Sequence, residues 1–552
     1  MAMKKNIVIL AAAAALLAIS CTNLDVDVKS LYTEYPTTDV ALEAKMADVY
    51  YCFRGALGRR FGESSSLSSD EQTAISFDGD YYDGGTYAHS ALHNYSPDDA
   101  SIGWYGDLAS GITKANQAIL DLGGYDSPAS SYARAMRAFY LFLLMDNYGD
   151  VPIIDGPVEE GQVIERKPRA QVAEWLESEL LEIIPNLTQE VSVATYGKPT
   201  KWMAEALLAK IYLNWAVYTA SDVTAYDAAT ATNAKLNDLV ALCDDVIASG
   251  KFSLAGGEQS GNGGTPLNPY RAKFYPNNGP QIKDFIYAMP YDAITQQGFQ
   301  YARPRIWRQG RNDGNGGAGY FGTDIGASCG GNFSVTPEAA ARFDAAAAEG
   351  DLRAEQVVRG KIYMYDPVTY EKTSTPYLYK GEEITLTNTV TLVANDENLN
   401  TGKNVNGWSQ GYKSVKYFVI QDDYKNGRNQ SNDLPIFRYA DILLMKAEAI
   451  VRGATATNGD SAASLVNQVR AYAKAPAKNN VDLAVIENER CLEFFDENWR
   501  RNDMIRYGHF ENEYCFHRKD FPTANFEKTR RILPIPTGVM NENINWKQNP
   551  GY

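Results

Sequence analysis

The chain has 552 residues, of which 45% are hydrophobic and 22% charged, so it is too long for one simple core and too apolar to be disordered. Its formal net charge of −16 and the absence of any Lys/Arg block argue against nucleic acid, which selects basic grooves.

Lys4 and Lys5 form a short basic region near the start, and Ile7 to Ile19 is an unbroken apolar run. The run is short for a bilayer span and has the size of a signal-peptide core. It ends Leu17-Ala18-Ile19-Ser20-Cys21, which resembles a bacterial lipobox, although Ala18 stands where leucine is commoner. Residues 1–20 are therefore expected to be a lipoprotein signal peptide and Cys21 the acylated first residue of a mature body, 21–552. An ordinary signal peptide followed by a chance cysteine is the alternative. Asp25 and Asp27 follow, as in acidic export tags of surface lipoproteins. The other five cysteines, Cys52, Cys243, Cys329, Cys491 and Cys515, are scattered and support neither a disulfide framework nor a zinc site.

Helical periodicity begins at Asp107–Leu122, through Leu108, Ile112, Ala115 and Ile119, and closes at Gly123-Gly124. A second helix is expected over Ser131–Tyr148, ended by Gly149 and Val151-Pro152. Pro168 opens a third through Val172, Leu176, Leu180 and Ile183. Lys201–Tyr218 forms a fourth and Leu236–Ile247 a fifth. Small residues beside large ones, as at Ala204, Ala206 and Leu207, suit close helix packing. The pattern is an array of tetratricopeptide-like helical hairpins without a strict period, so the predicted class is mostly α, with long irregular loops and minor β hairpins.

Two stretches interrupt the helices, around 61–106 and 252–434. The second holds Gly/Asn-rich segments at Ala255–Gly264 and Gly310–Gly319 and a β-branched run, Ile384–Val393, that reads as a short hairpin. Long ordered loops of this kind are usually functional. Helices resume at Tyr439–Arg452, Ser461–Tyr472 and from Asp482. In the last, Glu489, Glu493 and Glu497 recur every four residues among Arg490, Arg500, Arg501 and Arg506. By itself this stretch is either paired-carboxylate chemistry or an ion-pair lattice.

Several stretches together resemble the SusD/RagB family of outer-membrane lipoproteins. Arg438-Tyr-Ala-Asp-Ile-Leu-Leu-Met-Lys-Ala-Glu-Ala449 is similar to the family's Arg-x-Ala-Asp-x-Leu-Leu-x-x-Ala-Glu-Ala helix. Glu489, Arg490, Glu493, Glu497, Arg500, Asp503, Arg506 and Gly508 match its Glu/Arg-rich pattern. Leu533-Pro-Ile-Pro536 with Gln548–Tyr552 is similar to its C terminus, and Met136–Tyr140 with Tyr148–Pro152 fits its N-terminal half. The body would then comprise an N-terminal helical part, about 22–250, and a loop-rich ligand region with the C-terminal part, about 251–552. The resemblance implies a non-catalytic protein that binds oligosaccharides, or peptides in the RagB branch, without a cofactor. It also implies a lipid anchor in the outer membrane, facing outward, and a partner β-barrel transporter, SusC-like and TonB-dependent. It places the Glu/Arg stretch in the helical body, as an ion-pair lattice. A surface glycoside hydrolase, needing two carboxylates about 5–9 Å apart, and a purely adaptor role remain as alternatives.

A glycan presents apolar C–H faces and rings of hydroxyls, which aromatic planes and Asp, Asn or Arg side chains complement. Asp80, Tyr81, Tyr82 and Asp83 have that mixture, with Tyr81 where relatives often carry tryptophan; turn capping and packing are the other explanation. Trp104 is either a ligand platform or a core residue. Tyr291, Tyr301, Arg303, Trp307 and Arg308 gather rings and guanidinium donors, and Arg353, Trp408 and Tyr412 form a weaker set. Tyr81, Tyr82, Tyr301 and Trp307 are the expected stacking platform. Calcium on the Asp78, Asp80, Asp83 cluster is the other chemistry open to it, but the spacing lacks an EF-hand pattern and no metal site is assigned.

Overall fold

The computed structural model describes residues 39–77, 85–159, 161–255, 268–305, 331–366, 369, 371–419, 423 and 427–552. The chain divides into two compact units, Met1–Lys45 and Met46–Tyr552. In the first, the described residues are the opening of helix α1, Asp39–Tyr50, which ends in the second. All other elements belong to the second unit.

Its helical part is an array in which each helix packs on the next. The order is α2 (Tyr105–Asp121), α3 (Ser131–Tyr148), α4 (Arg169–Ile183), α5 (Lys201–Leu213) and α6 (Leu236–Ala248). The predicted periods reproduce these helices to within a few residues, because each carries an apolar stripe that needs a neighbour. At the α2–α3 crossing, Gly111 lies so close to Tyr140 that a Cβ would fall 2.6 Å from the ring, so only glycine fits. One expectation needs correction: Lys201–Tyr218 is not one helix. Asn214 leaves helical geometry and bonds the Lys210 carbonyl through its amide at 3.0 Å, and a separate short turn, Trp215–Tyr218, follows.

After α6 the helical array is interrupted for nearly two hundred residues and then resumes. Helix α7 (Pro337–Glu349), capped by Thr336, lies inside the interruption. Beyond it, α8 (Tyr439–Val451) packs on α6, and α9 (Ala462–Tyr472) and α10 (Leu483–Glu493) pack on α8; α11 (Arg500–Tyr507) ends at Gly508 in left-handed geometry. Glu497 is thus not on a continuous helix with Glu489 and Glu493. Phe494–Trp499 is a turn in which Asp496 and Asn498 have positive φ, 61° and 72°.

The β structure consists of two-stranded antiparallel pairs. Strand β1 (Gln72–Ala74) pairs with β3 (Phe333–Val335), and β2 (Phe285–Met289) with β12 (Leu434–Arg438). Strand β4 (Val357–Val358) pairs with β11 (Lys413–Ser414), and β6 (Tyr363–Tyr365) with β7 (Lys372–Pro376). The remaining pairs are β5 (Gly360–Lys361) with β10 (Thr385–Leu386), and β8 (Leu378–Tyr379) with β9 (Glu382–Glu383). Ile384–Val393 accordingly does not fold back on itself: its β10 residues pair with Gly360 and Lys361, and the hairpins are β6–β7 and β8–β9. Local β propensity marked the segment but not its partner, which only the fold supplies.

Among the described residues three large apolar cores and two small clusters result. The largest is built on α2–α6, the second on α7 and residues 354–419, and the third on α8 and α9. The stretch 486–505 reaches all three, with Trp499 and Ile505 in the first, Leu492 and Phe495 in the second, and Ile486 and Phe494 in the third. Among the described residues, no helix is long and apolar enough to cross a membrane.

Candidate ligand-binding surface

The Glu/Arg stretch is an interior lattice. Arg438 at the β12–α8 junction holds Asp284 at 2.6 Å, Glu493 at 2.8 Å and Glu497 at 2.8 Å. Arg353 holds Asp351 at 2.6 Å together with Glu489 and Glu493. Arg490 joins Asp441 (2.7 Å) to Asp503 (2.8 Å), Arg506 joins Asp503 to Glu448, both at 2.7 Å, and Arg500 joins Asp70 (2.6 Å) to Glu487 (2.9 Å). At Asp70, Asp284, Asp441, Glu448, Glu493 and Asp503 burial alone would raise the carboxylate, but the neighbouring cations outweigh it. Glu493 is held below its ordinary range, and Glu448 is brought down to about 2 by Arg506 and Arg452. Glu448, Glu489, Glu493 and Asp503 are buried as well as paired, so they serve as fixed counter-ions inside the protein.

Four of the candidate ligand residues belong to the same interior. Trp104 packs edge-on against Phe61 and Tyr148, with ring centres at 4.9 and 5.0 Å. Tyr291 is buried and donates its hydroxyl to the Arg54 carbonyl at 2.8 Å. Tyr301 stacks on Tyr417 at 5.2 Å beneath the Arg305 guanidinium and donates to Asn498 at 2.8 Å. Arg353 is fully buried in the lattice. Burial corrects these four positions from ligand contacts to core contacts, although the Trp104 ring nitrogen is left without an acceptor among the described residues. Trp408 is likewise buried, stacked on Tyr379 at 5.8 Å. Asp80, Tyr81, Tyr82, Asp83, Trp307, Arg308 and Cys21 lie outside the described residues.

The structure does fix where two candidate loops begin and end. The β1–β3 ladder pairs Ala74 with Phe333, and the Ile75 amide donates to the Asn332 carbonyl at 2.7 Å. Phe77 and Gly331, the described ends flanking 78–84 and 306–330, therefore follow and precede one end of the same ladder. Beneath it, Lys413 is buried and donates to the carbonyls of Gly331 and Phe333 and to the Ser334 hydroxyl, at 3.2, 2.9 and 2.8 Å. Burial brings this lysine down to about 7. The Val335 amide donates to the Tyr412 carbonyl at 2.9 Å, which carries the array on to β11 and its partner β4.

Past β4 lies an open cleft of about 940 Å³, near the upper end of the size range for ligand pockets. Tyr363 and Tyr365, two residues apart on β6, share one face of the hairpin and are half-buried. Tyr275 and Tyr412 add further rings, and Asn268, Arg271, Glu355 and Glu371 add polar groups. The Arg271 guanidinium lies 5.7 Å from the Tyr365 ring centre and donates to the Glu355 carbonyl at 3.1 Å. Lys372 lies 4.8 Å from the Tyr363 ring centre. The Tyr412 hydroxyl donates to Asp344 at 3.0 Å, and burial together with this bond pushes it up to about 12. Tyr275 and Tyr412 are buried, so the half-exposed rings of Tyr363 and Tyr365, beside amide, guanidinium and carboxylate groups, are the ones able to cover sugar faces while those groups bond the hydroxyls. Sequence reading singled out Tyr412 alone of this set, although the Tyr-x-Tyr alternation was a usable signal. Among the described residues, no group of His, Cys, Asp and Glu is arranged to hold a metal ion.

Two family models match the chain. One described as SusD family covers residues 283–552, and one described as starch-binding associating with outer membrane covers 24–213. The starch-binding protein SusD of Bacteroides thetaiotaomicron is 30% identical over 155 residues, which is 27% of this chain and 27% of that protein. The match thus spans about a quarter of that relative's length. A surface glycan-binding protein A of the same species, solved with laminarihexaose, superposes with a TM-score of 0.65 at 18% identity, over 93% of this chain and 99% of that one. A laminarin-binding SusD-like protein superposes with a TM-score of 0.64 at 21% identity, over 93% and 100%. With the C-terminal lattice motif, the helical array and both family models in agreement, this chain belongs to the SusD family.

Proposed function

We propose that this protein is a non-catalytic carbohydrate-binding lipoprotein that captures oligosaccharides and passes them to a TonB-dependent transporter of the outer membrane. The observation that carries the binding reading is the open cleft, walled by Tyr363 and Tyr365 and bordered by uncharged and charged hydrogen-bonding groups. Relatives described as binding starch or laminarin support the ligand class. Asp80, Tyr81, Tyr82, Asp83, Trp307 and Arg308, in the segments that follow β1 and precede β3 in the chain, are the further ligand contacts of this proposal. Cys21 carries the acyl anchor, and the body faces outward.

The absence of catalysis is part of the proposal, because the densest carboxylate array of the chain is clamped by arginines. Incubating the purified mature protein with a panel of neutral α- and β-glucans tests both halves. Retention in affinity gels without new reducing ends supports the binder. Product release would instead assign a hydrolase, with Glu355 and Glu371 as the first residues to replace. Neither retention nor products would remove the carbohydrate reading.

A further inference from the structure

A second pocket, of about 360 Å³, lies on the helical side of the molecule, between the end of α5, the start of α6, the end of α8 and the start of α10. Leu213, Val217, Leu236 and Leu483 form its apolar wall, and Arg452 and Asn237 are among its polar members. No carboxylate lines it among the described residues.

The charge at this pocket follows from the end of the lattice. Lys210, Arg490, Arg506 and Arg452 are linked through Asp441, Asp503 and Glu448. Four cations therefore share three carboxylates, and Arg452 is the terminal member. It donates only Nε to Glu448, at 2.8 Å; neither η nitrogen has an acceptor among the described residues. Only 16% of its side chain is exposed, so water compensates that surplus poorly. The amide oxygen of Asn237 is taken by the Thr455 amide at 2.9 Å, which leaves its N–H donors as the free face. The uncommitted polar groups of Arg452 and Asn237 are thus donors, set beside leucine side chains.

We propose that this pocket binds a carboxylate carried on a short apolar stem, with the carboxylate on Arg452 and the stem against Leu213, Leu236 and Leu483. A peptide C terminus and a short fatty acid both have that chemistry. The site is independent of the glycan cleft, shares no lining residue with it and stands whether or not the chain binds glycans.

Calorimetry on the mature protein distinguishes the sources and tests the site, using N-acetyl-leucine, hexanoate and N-acetyl-leucinamide. The expected result is saturable binding of one or both carboxylates and none of the amide. Arg452→Gln should weaken that binding by about tenfold or more, since a charge-assisted contact is lost. Because Arg452 also contacts Glu448, a second variant is needed that leaves the network intact. Ala234→Trp fills the pocket from an exposed position and should abolish binding at an unchanged melting temperature. Equal binding of the amide, no saturable binding of either carboxylate, or unchanged affinity in both variants overturns the proposal.

Discussion

Two regions of this molecule are dense in arginine, carboxylate and aromatic groups, yet they do different things. Around α10 and α11 the charges are dry, the guanidinium groups of Arg490, Arg500 and Arg506 are each shared between two carboxylates, and the aromatic residues are core. In the cleft beside β6 and β7, Tyr363 and Tyr365 stand half in water and Glu355, Glu371 and Lys372 are exposed. Arg438 with Glu493 has side chains 1% and 0% exposed, whereas Lys361 with Glu383 has side chains 40% and 53% exposed. Solvent decides what a charge is for. A buried ion is expensive unless paired and then defines geometry, while a hydrated one contributes little to stability and is available to a ligand.

The largest effect that would break this comparison is in the lattice. Arg438→Ala removes the cation shared by Asp284, Glu493 and Glu497 and should cost about 3–5 kcal/mol of stability. Chemical denaturation measures that loss, and glycan affinity per folded molecule should stay unchanged. A lost affinity with intact stability would return the lattice to active-site status.

Acid should come next. Asp70, Glu448 and Asp503 are held below their ordinary values by arginines that outweigh burial, Glu448 at about 2. Unfolded carboxylates titrate near pH 4, so the stability from these groups is fully present above about pH 5. It is lost as pH falls through the folded values. Melting temperature followed from pH 7 to pH 3 should decline steeply below about pH 4; a flat profile would show that the lattice does not hold the fold.

On the cleft side the expected sizes are smaller and the readout changes. Tyr365→Ala should weaken glycan binding by about tenfold, the worth of one aromatic contact, and shift the melting temperature little because the ring is only half-buried. An unchanged affinity would move the ligand surface onto the loops alone, where Trp307→Ala is the corresponding test. Smallest of all, Lys361→Ala should leave the melting temperature unmoved, since its partner Glu383 and its own side chain are largely in water.

The sequence by itself determined the helical array, because apolar spacing at α2 to α6 and α8 to α10 is a local property that any neighbour must satisfy. It also determined the family, through the motif from Arg438 to Ala449 and the Glu/Arg pattern after it. It did not determine which charged and aromatic residues face a ligand. Trp104, Tyr291, Tyr301 and Arg353 read as binding groups because residues suited to sugars are also those that build polar cores. Tyr363 and Tyr365 passed unnoticed because their exposure depends on pairing β6 with β7 and on the cleft left beside β4. Likewise Glu497 continues a four-residue repeat in sequence but reaches Arg438 from a turn with left-handed residues. Burial and partner choice are long-range properties: only once distant segments met did the tertiary structure decide which charges lost water and which kept it.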